Sequence, residues 1–93
     1  MNYVILDTET TGLRSYHHEI VSFAGIKINA QLQEIDRLVI KIKPKHLERA
    51  DNEALKINGY SSHRWKDALD PEEAGPMIAA FMKDCMPVAH NWA

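Results

Sequence analysis

Ninety-three residues with 45% apolar and 26% charged side chains and a formal net charge of −2 describe one small domain with no bulk electrostatic attraction for nucleic acid. A single cysteine, Cys85, excludes an internal disulfide and fits a reducing compartment, so a cytoplasmic location is expected. No apolar run reaches the ~18 residues of a membrane span, and the N-terminus lacks the basic segment and apolar core of a secretory signal.

The run Tyr3-Val4-Ile5-Leu6 has the length and β-branched content of a buried strand ending at Asp7. Residues i and i+2 of a strand share a face, so Asp7 and Glu9 stand side by side, roughly 6–7 Å apart at their Cβ atoms. Two like charges this close need a cation between them or a proton on one of them. A divalent metal is the simplest solution, since hard cations take oxygen ligands and two-metal sites space their ions about 3.5–4 Å apart. Thr10-Thr11-Gly12 forms a turn in which Gly12 is free to adopt positive φ. The loop Arg14 to His18 is polar. His17 and His18 adjoin Glu19 and raise the question of ligation, against the plainer reading of two solvated loop histidines.

Glu19 to Asn29 reads as a second strand with apolar residues on both faces, hence central and covered on both sides. Ala30-Gln31 is a hairpin connection without the Asn-Gly signature. A third strand, Gln33 to Lys43, alternates Leu38, Ile40 and Ile42 with Arg37, Val39, Lys41 and Lys43, giving one wet face. Lys41, Lys43, Lys45 and His46 are either a patch that approaches phosphates or simply the solvated side of the strand. Pro44 ends the strand.

A short helix follows from Asp51 or Asn52 to Ile57, capped by one of the first two and stopped by Asn58-Gly59. Trp65, in the loop Ser61 to Leu69, reads as a core anchor, with base stacking as the alternative; His63 reads as surface. Asp70-Pro71-Glu72-Glu73 starts a second helix, whose stripe Ala74, Met77, Ile78, Phe81 and Met82 continues to Cys85, an inert buried thiol. Pro76 conflicts with that helix. Either the first turn is distorted, or the regular helix starts at Pro76. A last strand begins near Pro87.

The heptad Asp7-Thr8-Glu9-Thr10-Thr11-Gly12-Leu13, placed directly after a short N-terminal strand, resembles the first motif of the DEDD superfamily of proofreading-type (DnaQ-like) 3′–5′ exonucleases. The segment Ala54 to Tyr60 resembles that family's short Ala-x-x-x-x-Gly helix, and Val88-Ala89-His90-Asn91 the approach to its second motif. The resemblance implies an α/β, ribonuclease H-like fold, truncated. Its parts are a three-stranded antiparallel meander, a short helix, a longer helix, and the start of a fourth strand parallel to the first. Residues 1–93 would be the N-terminal part of a single exonuclease domain. It implies two Mg²⁺ or Mn²⁺ ions, with Asp7 bridging both and Glu9 holding the ion that activates water. It also implies a pocket for the 3′ end of single-stranded or 3′-terminal nucleic acid, lined by Thr8, Thr10, Thr11, Gly12, Leu13, His90 and Asn91. Leu13 is a base wedge by that match and a core leucine otherwise. Glu19 would stand beside the site without being a core ligand. A transposase or ribonuclease H, which would share Asp-x-Glu, is disfavoured by the Thr-Thr-Gly-Leu continuation.

Two of the four family carboxylates and the third motif do not occur in these 93 residues. The expectation is therefore a parent 3′–5′ exonuclease of which this chain is an incomplete, inactive part. The alternative is a non-catalytic remnant or half-domain acting as a binding or assembly module, completed by a missing C-terminal half or by a homodimer.

Overall fold

In the computed structural model, which describes residues 1–12 and 18–89, the N-terminal apolar run lies inside a four-stranded sheet. Leu13, His17, His90 and Asn91 fall outside the described residues. The strands are β1 (Asn2–Thr10), β2 (Ile20–Ile28), β3 (Glu34–Lys41) and β4 (Cys85–Ala89), and the spatial order is β3-β2-β1-β4. The helices are α1 (Asn52–Asn58) and α2 (Pro71–Met82), with one 3₁₀ turn at Leu47–Arg49. β1, β2 and β3 form an antiparallel meander; β4 returns parallel to β1 after the helices. This is the α/β arrangement expected.

Register decides which side of the sheet each residue serves. Val4 pairs across to Lys27, and Leu6 to Gly25 and then Leu38. This parity faces α2, where Val4, Phe23 and Phe81 form the buried cluster, flanked by Leu6, Leu38, Ile40, Ile78, Met82 and Cys85. Phe23 and Phe81 meet edge to face at 6.3 Å between ring centroids, a favourable aromatic geometry. Gly25 makes that approach possible, because a Cβ there would lie 2.8 Å from the Phe81 ring. The opposite parity carries Ile5, Asp7 and Glu9 on β1, facing Ile26, Ala24 and Ser22 on β2. Nothing among the described residues packs over this side, and Ile5, Val39, Met86 and Val88 are exposed on it.

Trp65 is the core anchor expected. It is 4% exposed, its Nε1–H donates to the Val21 carbonyl at 3.0 Å, and its ring lies against Tyr60. Lys41 sits over the same ring at 5.2 Å, Lys45 lies 3.5 Å from Asp70, and His46 lies 3.4 Å from Glu48. Lys41, Lys45 and His46 are thus exposed and each has a partner within the protein, Lys41 at the end of β3 and the other two in the loop after it. Asp51 caps α1 by accepting from the Glu53 N–H, and Gly59 ends it in the left-handed region at φ 69°. His63 is exposed.

Several local expectations are corrected. α2 begins at Pro71 and contains Pro76, so the helix does not wait for the second proline. The missing N–H costs one helical bond, which packing of Ala74 and Phe81 offsets. Asp70 occupies the cap position, but its carboxylate makes no bond to the helix and points to Lys45. Met77 is exposed rather than part of the core stripe. Cys85 is not on the helix. The chain turns at Lys83 and Asp84, the latter at φ 60°, and Cys85 opens β4 with its side chain half-buried against the core. Among the described residues β2 is covered on one face, that of Phe23, where two covered faces were expected. The hairpin after β2 is organised by Asn29, whose Oδ1 accepts from the N–H groups of Gln31 and Gln33, with Leu32 at φ 65°.

Gly25→Ala is expected to destabilise the fold by about 1–3 kcal/mol through overpacking against Phe81. Urea unfolding checks this, and combining it with Phe81→Leu should cost less than the sum of the two single changes.

Candidate active site

Asp7 and Glu9 occupy alternate positions of β1 and therefore one face of the sheet, as the strand period requires. The covered face opposite holds Val4 and Leu6, so the carboxylates emerge from the side that α2 leaves open. A hollow of about 270 Å³ lies on this side, lined by Ile5, Asp7, Ala24, Ile26, Arg37 and Val39 among others. Its walls are almost wholly apolar. Arg37 borders it, but the guanidinium bonds Glu34 at 2.8 Å, and this partner raises its pKa further, so the positive charge is already matched. Asp7 Oδ1 is buried and has no hydrogen-bond partner among the described residues. Buried polar atoms almost always have a partner, and an ionised oxygen without one is costly. The same oxygen is well suited to a hard cation. Two carboxylates on one face, one of them with an unused oxygen, fit part of a divalent-metal site. Among the described residues no third Asp, Glu, His or Cys converges with them.

The residues after Glu9 build a rigid turn. A register shift between Glu9 and Thr10 lets the chain leave the β1–β2 ladder. The Thr10 hydroxyl donates to the Gly12 carbonyl. Thr11 is 1% exposed, and its Oγ1 accepts from the Glu19 N–H at 3.0 Å. Its own N–H donates to the Glu19 carbonyl, and its carbonyl accepts from the Asp51 N–H. The Thr11 side chain is therefore internal to the turn. Thr8 is on the Val4 parity, paired with Phe23, so its side chain faces away from Asp7 and only its backbone borders the carboxylate side.

Gly12 does not take a positive φ. The reason for glycine is space: an added Cβ would collide with the imidazole of His18. His18 is thus a packing partner of the turn.

Four further contacts were not legible as motif residues. Glu19 clamps the loop after β3 by accepting from the N–H groups of Lys45 at 2.9 Å and His46 at 2.7 Å. Asn58 Nδ2 donates to the Thr10 carbonyl at 2.8 Å. Asp51 reaches Thr11, and His18 covers Gly12, as described. Each joins a side chain or a cap to distant backbone, and periodicity carries no signal for such bonds. The sequence hints at them only indirectly, through Asp51 as a cap candidate, Asn58-Gly59 at a helix end and the family resemblance that sets Glu19 beside the site.

The RNase_T family model, described as exonuclease, matches residues 4–93. The DNA polymerase III PolC-type of Thermotoga maritima is 33% identical over 90 residues, covering 96% of this chain, and that of Mycoplasma pneumoniae is 31% identical over 90 residues. The chain spans 6% of the length of these relatives. Escherichia coli exonuclease I, solved in complex with a dT13 oligonucleotide, superposes with a TM-score of 0.78 at 17% identity, over 95% of this chain and 19% of that one. A 3′-exonuclease solved in a study of histone mRNA stem-loop recognition superposes with a TM-score of 0.68 at 18% identity, over 88% of this chain and 30% of that one. At these identities the solved structures speak to the fold, which is ribonuclease H-like.

Thr11→Val is expected to destabilise the protein by about 1–3 kcal/mol, because it keeps the shape and leaves the Glu19 N–H without an acceptor. Thr11→Ser should lose less, and thermal denaturation of the two variants distinguishes them.

Proposed function

We propose a function from one premise: this chain belongs to the RNase_T exonuclease family. It is the part of a metal-dependent 3′–5′ exonuclease domain that carries the first motif. The reaction is hydrolysis of the terminal phosphodiester of DNA or RNA. The observation that supports this most directly is the Asp7–Glu9 pair on an open sheet face, with Asp7 Oδ1 buried and unpartnered. Asp7 and Glu9 would hold divalent cations, Mg²⁺ or Mn²⁺. When bound, such ions lower the pKa of water and offset charge on the phosphoryl oxygens.

The chain's own residues orient the substrate. The Thr10–Gly12 turn, fixed from inside by Thr11, presents a rigid border beside the carboxylates. The backbone of Thr8 and the turn residues would meet the 3′-terminal sugar, with Leu13, His90 and Asn91 completing the pocket. The substrate class is single-stranded or 3′-terminal nucleic acid, in keeping with the oligonucleotide bound to exonuclease I in its solved complex. With a net charge of −2, the chain has no excess of basic groups for binding the backbone, so affinity rests on the cations and the turn. The cytoplasm is the proposed location; among the described residues no helix is long and apolar enough to cross a membrane.

A second feature bears on activity. The carboxylate face exposes Ile5, Val39, Met86 and Val88, and no third ligand joins Asp7 and Glu9 among the described residues. In this reading the two family carboxylates that do not occur in these 93 residues come from a longer polypeptide or from a second copy, and the 93-residue chain by itself is inactive.

In thermal denaturation, Mg²⁺ or Mn²⁺ should raise the melting temperature of the wild type but not of Asp7→Asn. Without metal, Asp7→Asn should be the more stable form by about 1 kcal/mol, since it removes an unpartnered buried charge. In an assay with a 3′-terminated single-stranded oligonucleotide, the isolated chain should release no more mononucleotide than Asp7→Asn does. Release that Asp7→Asn abolishes would mean that two copies complete the site between them. A metal response that is identical in both proteins would remove the basis for the exonuclease reading.

A further inference from the structure

Asn58 is the last residue of α1, and helix formation does not call for an amide there, since asparagine is among the weaker helix formers. Nor is the amide needed to cap the helix. The Gly59 N–H already reaches the carbonyls of Leu55 and Lys56, and the Tyr60 N–H also reaches Leu55. The Asn58 side chain instead leaves the helix and donates to the Thr10 carbonyl at 2.8 Å in half-buried surroundings. At the other end of α1, the N–H of the cap residue Asp51 donates to the Thr11 carbonyl at 2.6 Å. A helix of seven residues extends about 10 Å. Consecutive carbonyls of the turn are thus held from opposite ends of one stiff rod. The next carbonyl, that of Gly12, is taken by the Thr10 hydroxyl. No carbonyl of the turn is left to choose its own direction.

We propose that Asn58 is a positioning residue for the 3′-terminal nucleotide. It holds the Thr10–Gly12 turn at a fixed height beside Asp7 and Glu9, and so sets nucleotide affinity without touching the nucleotide. This rests on the exonuclease reading. Without the Asn58 amide, Thr10 leaves the sheet at the Glu9/Thr10 register shift with its carbonyl free to turn to water, and the turn is held only through Thr11.

The test uses the full 93-residue chain, Asn58→Asp and Asn58→Ala. Asn58→Asp keeps the shape and replaces the donor with an acceptor. Asn58→Ala favours the helix, so a defect in it is not a defect of α1 itself. Amide hydrogen exchange is read at Thr11 and Asp51 and compared with the β2–β3 ladder. Binding of thymidine 5′-monophosphate with Mg²⁺ is read by NMR titration under conditions where every protein is folded. Exchange at Thr11 and Asp51 should accelerate roughly three- to tenfold beyond any change in the ladder, the range expected for one lost hydrogen bond. Nucleotide affinity should fall by a similar factor. A purely structural role would lower global stability and leave the affinity of the folded protein unchanged. Unchanged affinity, or exchange at Thr11 that only follows the ladder, overturns the proposal. Absence of nucleotide binding by the wild type instead overturns the reading of the Thr10–Gly12 turn as a nucleotide pocket in this chain, and the exchange data then still decide whether Asn58 braces the turn. If Asn58→Asp fails to fold, Asn58→Ala carries both measurements.

Discussion

The buried threonine at the end of β1 is the constraint on which the rest depends. Thr11 exchanges two hydrogen bonds with Glu19, one through its N–H and one through its hydroxyl, and receives a third from the cap of α1. A strand that carries two carboxylates near its end must stop without fraying if their positions are to be fixed, and a side chain that substitutes for the missing ladder achieves this. Glu19 then passes the constraint on. Its carboxylate accepts from two consecutive N–H groups in the loop after β3, so that loop, the exit of β1 and the entry of β2 are tied at one place. Charge-assisted bonds of this kind are the stronger ones, and each of them here satisfies backbone that has left the sheet.

The two faces of the sheet divide the work. One face is closed by α2 through Phe81, with Gly25 providing the space for the ring edge. The other bears the carboxylates on a floor of Ala24, Ile26 and Val39. An apolar floor beside Asp7 strengthens its attraction for any cation bound there and raises the cost of leaving Asp7 Oδ1 without a partner. The feature that is costly without a cation is thus the one that would favour binding one there.

What could be read in the sequence follows from which forces have a period. The parity of β3, the stripe of α2 and the Asp7–Glu9 pairing repeat every two or about 3.6 residues, and all three stand in the structure, apart from Met77 at the edge of the stripe. The family motif assigns the candidate carboxylates Asp7 and Glu9 to the end of the first strand, and both lie on β1. The remainder has no such period. Gly12 is free to take a positive φ as any glycine is, yet what it answers to is the volume of His18, a neighbour six positions on. Cys85 continued a helical count past the point where Asp84 at positive φ reverses the chain. The hairpin at Ala30-Gln31 stands as read, and Asn29, through its side chain, supplies what the absent Asn-Gly signature does not. Asn58 and Glu19 act across long separations, where no local pattern reports them.

The parallel pairing of β1 with β4 also affects how the protein is made. Asn2 is paired with Cys85, nearly the full length of the chain away, whereas β1, β2 and β3 are joined by short connections. The meander can close early at small entropic cost, while the fourth strand must wait for both helices to exist. During that interval β1 has one side of its backbone unpaired, and it is among the most apolar segments of the chain. Nascent protein is therefore most exposed to wrong strand partners when its first strand is already folded and its fourth has not yet been synthesised.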